Sequence, residues 1–213
     1  MTGTLTNHLE TNQRDSEHAP PNTGPGDPSH QPADGGTDVL TDTGLHEVIT
    51  GLITGLSARG ETVATAESLT GGLIGAVLTS VSGVSAIYRG GVVSYATDLK
   101  ATLVGVSEST LAEHGAVAQL TAVEMALGVA TRCDATWGVA VTGVAGPDQQ
   151  EGHPAGTVFV AVARKPPAVG DWDDQQADSV VCVRELSLDG DRAAIRDQTV
   201  RAALLQLHQV SLG

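Results

Sequence analysis

The residues with the most evident chemistry lie in the stretch TAESLTGGLIG, residues 65–75, which follows an apolar run and precedes a helical pattern. Ser68 is a candidate nucleophile, Thr70 adds a second hydroxyl, and Gly71 and Gly72 would let a substrate approach the backbone. The start of a helix presents free N–H groups and the positive end of the helix dipole, which favour a developing negative charge. This position therefore suits a nucleophile or a phosphate-binding loop.

Two further polar clusters follow later apolar runs. Ser94, Tyr95 and Lys100 come after a second predicted strand, and the loop TGVAGPD starts at Thr142 after a third. In open α/β sheets, loops at the carboxyl ends of the strands converge on one crevice. A lysine that burial keeps neutral can remove the proton of a serine. We therefore expect Lys100 to be a base for Ser68 and Tyr95 to relay the proton or hold the amine. The glycine-rich loop would offer backbone N–H groups to an oxyanion or a phosphate.

Each candidate also has a structural interpretation that the sequence leaves open. A serine before a helix is often an N-cap, and Thr142 with the glycine after it could form a tight exit from a strand. Glu67 is a candidate substrate-binding residue, but its position also suits an acceptor for the N–H groups of the loop. The histidines have no metal-ligand spacing, so we expect no metal site.

The pattern of apolar residues predicts helices interleaved with buried strands. The helices are predicted at 44–58, 73–80, 108–114, 121–132 and 191–207, and the strands at 61–66, within 86–95, and at 137–142, 157–163 and 179–188. Thr121 and Glu124 have capping-box spacing at the start of a helix. An acidic, proline-containing loop is expected over 165–178. This order is typical of a three-layer α/β/α sandwich with a mixed, mostly parallel sheet of about five strands.

Composition limits the classes of function. Residues 1–42 are polar, acidic and almost free of large apolar side chains, so we expect a disordered tail before a domain at 43–213. The formal charge of −14 argues against nucleic acid. We find no signal-peptide pattern and no apolar run of about 18 residues, so we expect a cytoplasmic protein without membrane contact. Acidic excess with only two lysines, Lys100 and Lys165, fits a salt-rich cytosol.

Five sequence blocks resemble those of a known family. TAESLTGG, GGVVSYATDLK, TGVAGPD, PAGTVFVAVA and LDGDRAAIRDQTV occur in the order typical of the CinA C-terminal domain family, over residues 44–208. The resemblance implies a five-stranded α/β/α domain that hydrolyses the carboxamide of nicotinamide mononucleotide, giving nicotinate mononucleotide and ammonia. It implies no cofactor, and it implies a homodimer or higher homo-oligomer.

The resemblance also implies roles for single residues. Ser68 would be the nucleophile, Lys100 its general base, and Tyr95 would lie beside them. Thr142 and Gly143 match positions that line the substrate pocket. Arg192 matches the arginine of the family's GDR block, whose fork suits the substrate phosphate, and Arg196 lies one turn further along the same helix face.

One block departs from the family. Residues 149–154 read QQEGHP where the family commonly has a glycine pair and a Glu-Lys-Pro run. An alternative therefore stays open, a non-catalytic nucleotide- or partner-binding module with the same fold. A phosphoryl-transfer enzyme would differ from both, because it would depend on magnesium.

Overall fold

The computed structural model describes residues 42–166 and 181–213. The expected tail lies outside these residues except for Asp42, which begins the first helix. The expected acidic loop at 165–178 also lies outside them, apart from its first two residues. Within the part of the chain that is described, no helix is both long enough and apolar enough to cross a bilayer.

The described chain contains six helices and five strands. The helices are α1 (Asp42–Ala58), α2 (Leu73–Thr79), α3 (Thr97–Val104), α4 (Glu108–His114), α5 (Gln119–Arg132) and α6 (Arg192–Leu212), and a turn of 3-10 helix covers Val84–Ala86. The strands are β1 (Val63–Glu67), β2 (Tyr88–Val93), β3 (Trp137–Gly143), β4 (Thr157–Arg164) and β5 (Val181–Ser187).

The strands form one mixed sheet in the order β2-β1-β3-β4-β5. β1 runs parallel to β2 and to β3, whereas β4 is antiparallel to both of its neighbours. Four of the five strands therefore point in the same direction, and the expected α/β class with a mixed, mostly parallel sheet is confirmed. The carboxyl ends of β1, β2 and β3 meet at one edge of this sheet.

The two faces of the sheet are covered by different helices, which gives three layers. Valines of β1, β3 and β4 pack on one face against α1, α2 and α6. The other face carries small residues, among them Ala64, Ala66 and Ala140, and it packs against α3, α4 and α5. Small side chains on the sheet let the helices of this second layer approach closely.

Two glycines mark the closest approaches in the second layer. A Cβ atom at Gly138 of β3 would lie 1.9 Å from the carbonyl oxygen of Ala126 in α5. A Cβ atom at Gly128 of α5 would lie 1.6 Å from the carbonyl oxygen of Val104, at the end of α3. Both distances are far below van der Waals contact. The position of α3 on the sheet edge therefore depends on the missing side chain of Gly128.

Two sequence-based expectations fail in this layer. First, we expected no helix at 97–104, because this short segment has little apolar periodicity. The sequence signals for α3 are Asp98 in the first turn and Gly105 after the last turn. The capping box at Thr121 and Glu124 is also wrong. α5 begins two residues earlier, and Glu124 accepts hydrogen bonds from the backbone N–H of Ser107 and the hydroxyl of Thr110, at the start of α4.

Gly128→Ala should lower the free energy of unfolding by about 1 to 3 kcal/mol, because the new methyl group overlaps the backbone of Val104. Gly51→Ala in α1 is the matched control. Its methyl group meets only the ring of His208, 2.9 Å away, which can rotate aside. The control should gain up to about 1 kcal/mol from helix propensity. Urea unfolding of both variants measures the difference, and equal effects would contradict the close approach of α3 and α5.

Candidate active site

A serine and a lysine meet at the edge of the sheet where three strands end. Ser68 follows β1, the strand between β2 and β3, and its backbone N–H donates to Val141 of β3. Lys100 extends from α3, and its Nζ donates to Ser68 Oγ over 3.0 Å. Ser68 is 7% exposed and Lys100 only 1% exposed. The structure thus brings the predicted nucleophile and base into direct contact.

The amine of Lys100 is held by backbone oxygens and a hydroxyl. Besides Ser68, its hydrogen-bond acceptors are the carbonyl oxygens of Ser94 at 2.9 Å and of Tyr95 at 3.5 Å. Burial lowers the pKa of Lys100 to about 8, although the negative charge of Glu151 acts in the opposite direction. In the neutral amine, two N–H groups can stay on the two carbonyls while the lone pair faces Ser68. This is the orientation that a general base for Ser68 requires.

Three hydroxyl side chains lie in one row across the strand ends. The register of β1 with β2 and with β3 puts Ser94 and Thr142 at the same level as Ser68, on the face covered by α3 to α5. Thr142 Oγ1 donates to the carbonyl of Ala116 over 2.6 Å. Because the proton of this hydroxyl is used in that hydrogen bond, the hydroxyl can only accept a hydrogen bond from a ligand. Ser94 Oγ is buried and has no partner among the described residues.

Glu67 binds the backbone at the start of α2 and does not face a ligand site. Its two carboxylate oxygens accept hydrogen bonds from the backbone N–H groups of Gly72, Ile74 and Gly75, at 2.9 to 3.0 Å. The structural interpretation of Glu67 is thus confirmed, and Glu67 is not a cavity residue. Because a carboxylate already occupies this helix start, the expectation that α2 offers its N–H groups to a substrate is wrong.

Thr70, Gly71 and Gly72 also lie away from the cavity, contrary to the sequence-based expectation. Thr70 is fully buried, and the two glycines have φ of 62° and 97°, in the left-handed region. The chain uses these conformations to turn from β1 into α2. The glycines therefore shape the loop that carries Ser68, and they are not a surface for substrate.

A cavity of about 430 Å³ opens beside the serine and the lysine. Its lining comes from the loops after β1, β2 and β3, the first half of α3, the loop before α5 and the start of α6. The lining residues are Ser68, Leu69, Tyr95, Ala96, Thr97, Lys100, Ala116, Val117, Thr142, Gly143, Val144, Ala145, Gly146, Pro147, Asp148, Gln149, Gln150 and Arg192. Among them only Lys100 and Arg192 are cationic. The predicted pocket residues Thr142, Gly143 and Arg192 thus line one cavity with Ser68 and Lys100.

Tyr95 and Arg192 form the rim of this cavity. Arg192 donates from Nη1 to the carbonyl of Gly146 over 2.9 Å and from Nη2 to the hydroxyl of Tyr95 over 3.0 Å. Tyr95 is 57% exposed. Its phenol oxygen accepts a hydrogen bond from Arg192 and is not an acceptor for Lys100 Nζ, so the side chain of Tyr95 does not hold the amine. The main-chain carbonyl of Tyr95 contacts Lys100 instead.

Four cavity residues carry no sequence signal of their role. Ala116 and Val117 form a wall, although they belong to no strand end, and no local pattern marks them. Gln149 and Gln150 line the cavity from the segment that departs from the family pattern. Glu151 in the same segment accepts a hydrogen bond from the backbone N–H of Val117 over 3.0 Å, which ties this segment to the wall.

The fold and the site define a three-layer α/β protein with a buried serine–lysine pair beside an open cavity. A family model described as "CinA C-terminal domain" matches residues 45–211. The chain therefore belongs to the CinA C-terminal domain family. Solved structures agree with this assignment. The chain is similar to a competence/damage inducible protein from Agrobacterium tumefaciens, with a TM-score of 0.69 and 37% identity over 78% of this chain and 94% of that one.

Two named relatives differ in length. The nicotinamide-nucleotide amidohydrolase PncC of Escherichia coli K12 is 40% identical over 171 residues, which are 80% of this chain and 96% of that protein. A CinA-like protein of Frankia casuarinae is 45% identical over 172 residues, 81% of this chain. The aligned part is only 36% of that relative, so the chain spans about a third of its length.

The burial of Lys100 should make stability depend on pH. The folded pKa of about 8 lies below the unfolded value of about 10.4, so the unfolded chain binds more protons between these values. Stability due to this group must therefore rise with pH across that window. Lys100→Met removes the group and its cost at lower pH, so the variant should be more stable than the parent at pH 7.5. This difference in the free energy of unfolding should shrink by roughly 2 kcal/mol from pH 7.5 to pH 10.

Urea unfolding at the two pH values tests this expectation. Lys165→Met is the matched control, because it removes the chain's other lysine, whose Nζ lies 2.6 Å from Asp134 in an exposed ion pair. A pH dependence that is the same in the two variants would contradict the assignment of the effect to Lys100.

Proposed function

We propose that the chain is an amidohydrolase that cleaves the carboxamide of nicotinamide mononucleotide, with Ser68 as nucleophile and Lys100 as general base. The observation that carries the proposal is the buried hydrogen bond of 3.0 Å between Lys100 Nζ and Ser68 Oγ at the cavity. The similarity to PncC over 96% of that protein supports the choice of substrate.

In the first half-reaction, neutral Lys100 accepts the proton of Ser68 while Ser68 Oγ attacks the carboxamide carbon. Negative charge then develops on the carboxamide oxygen. The backbone N–H of Leu69, next to the nucleophile, has no acceptor among the described residues and is suited to stabilise that oxygen. Protonated Lys100 returns its proton to the amide nitrogen, the C–N bond breaks, and ammonia leaves. The nicotinoyl group of the nucleotide stays bound to Ser68 Oγ as an ester.

In the second half-reaction, water replaces ammonia. Lys100 is neutral again after the first step, so it can take a proton from the water that attacks the ester. The bond between the acyl carbon and Ser68 Oγ breaks, and Lys100 returns the proton to Ser68. The sum consumes one water and produces nicotinate mononucleotide and ammonia. Both steps use the same lone pair of Lys100, so the pH dependence of each follows one group.

Arg192 supplies the charge for the phosphate end of the substrate. Its guanidinium lies on the cavity rim, and Lys100, the other cation of the lining, is engaged with Ser68. The hydrogen bonds of Arg192 to Gly146 and Tyr95 use one N–H of each Nη atom and keep the planar group in place. A guanidinium fixed in this way still offers N–H donors to a phosphate.

Purified protein should release ammonia from nicotinamide mononucleotide without added metal, and Ser68→Ala and Lys100→Ala should each lower kcat/KM by about 10³-fold or more. For the parent, kcat/KM should rise with pH about a midpoint near 8, because only neutral Lys100 accepts a proton. An ammonia assay at low and at molar salt measures these values. Lys165→Ala and Ser80→Ala are the controls, since both residues are outside the cavity lining.

Other outcomes of the same assay would point to other classes of protein. Tight nucleotide binding without ammonia at either salt concentration would reject the amidohydrolase and favour the non-catalytic binding module. Activity that requires magnesium would favour phosphoryl transfer.

Arg192→Met should raise KM for nicotinamide mononucleotide by about 10- to 100-fold and change kcat little, because charge-assisted hydrogen bonds to phosphate contribute about 1.5 to 3 kcal/mol. The nucleoside that lacks the phosphate should be hydrolysed with the same KM by parent and variant. Arg201→Met on the same helix is the control, as its guanidinium contacts Asp42 and Asp197. An equal rise of KM for both substrates would reject Arg192 as the phosphate contact.

A further inference from the structure

Arg196 extends from α6 one turn after Arg192 but reaches a different part of the site. Its Nη2 donates to the carbonyl oxygen of Thr70 over 2.8 Å. The same nitrogen would lie 3.8 Å from a Cβ atom placed on Gly71. Arg196 is not among the cavity-lining residues. It therefore lies against the loop that carries Ser68, and not with Arg192 on the cavity rim.

The environment of Arg196 is not one that favours stability. No carboxylate lies within ion-pair distance of its guanidinium in the described part of the chain, and Nε is buried without a hydrogen-bond partner. A partly buried charge with an unpaired N–H has a desolvation cost that its contacts offset poorly, and apolar replacements of such groups are often neutral. The presence of an arginine at position 196 is therefore not explained by a gain in folding stability.

Few hydrogen bonds hold the loop from Ser68 to Gly72. At its start, the backbone N–H of Ser68 donates to the carbonyl of Val141 in β3 over 3.1 Å. Within it, the N–H of Gly71 donates to the carbonyl of Ser68 over 3.0 Å, and Leu73 donates to Thr70 over a longer 3.3 Å. From β1, Glu67 accepts the N–H of Gly72. The bond from Arg196 joins the middle of this loop to α6. The loop is therefore fixed by Val141 at its start, by Glu67 at its end and by Arg196 at its middle.

We propose that Arg196 is a positioning residue for Ser68. By fixing the carbonyl of Thr70, it keeps Ser68 Oγ at the distance from Lys100 Nζ that proton transfer needs. The inference rests on the proposed function, because it assigns a role in the same reaction. The first turns of α6 then carry two arginines with different tasks: Arg192 binds the substrate, and Arg196 holds the nucleophile loop without touching the substrate.

The test compares Arg196→Met and Arg196→Lys with Arg201→Met as the control on the same helix. Arg196→Met should lower kcat for nicotinamide mononucleotide by about 10- to 100-fold, since a displacement of about 1 Å costs this much, and should leave KM within about threefold. Arg196→Lys keeps one hydrogen-bond donor, so its kcat should lie between those of the parent and of Arg196→Met. Tm should stay within about 2 °C of the parent, since Leu73 still donates to Thr70.

A second measurement does not depend on turnover. Hydrogen exchange of the peptide that covers residues 68–72, followed by mass spectrometry without substrate, should be faster in Arg196→Met than in the parent. It should be unchanged in Arg201→Met. If the parent released no ammonia, the proposed function would fail while the exchange data would still decide whether Arg196 fixes the loop.

Three results would overturn the inference. A raised KM with unchanged kcat would make Arg196 a substrate-binding residue. Unchanged exchange of the loop would remove the positioning role. If kcat fell in proportion to Tm in both Arg196→Lys and Arg196→Met, Arg196 would be a structural contact only. If Arg196→Met did not fold, Arg196→Lys would be judged by the same three criteria.

Discussion

The site depends on a buried lysine amine that forms no ion pair with a carboxylate of the described residues. Lys100 has two carbonyls and a hydroxyl as its acceptors. Neutral acceptors of this kind hold an amine in either protonation state, whereas an adjacent carboxylate would stabilise the ammonium and raise its pKa. The burial that lowers the pKa of Lys100 to about 8 is therefore the condition for its proposed role as a base, and the second layer of helices provides that burial.

Close packing of this second layer follows from small residues on one face of the sheet. Alanines and glycines on β1 and β3 let α5 lie near the sheet, and Gly128 lets α3 lie near α5. α3 in turn brings Lys100 over the ends of β1 and β2. Larger side chains at these positions would move the amine away from Ser68. Sheet composition, which is unremarkable in the sequence, thus sets the distance between the two reacting groups.

The sequence predicted the fold class and the pairing of Ser68 with Lys100, because polar residues at strand ends have few other reasons to recur. It did not predict how the loop after β1 is used. Glu67 accepts the N–H groups at the start of α2, which removes both from the site, and the carbonyl of Thr70 accepts a hydrogen bond from Arg196 of α6. Tyr95 was expected to act through its phenol, but that group is bound by an arginine almost a hundred residues later. Contacts at such separation depend on tertiary packing, which local patterns do not encode.

The contacts at the strand ends close chain loops of very different length. The bond between Lys100 and Ser68 spans 32 residues, that between Arg192 and Tyr95 spans 97, and that between Arg196 and Thr70 spans 126. Longer loops cost more entropy to close, and α6 is synthesised after every other element described. The residues that join nucleophile and base are therefore all synthesised before α6. The cavity rim and the outer contact of the nucleophile loop are completed only when that helix docks.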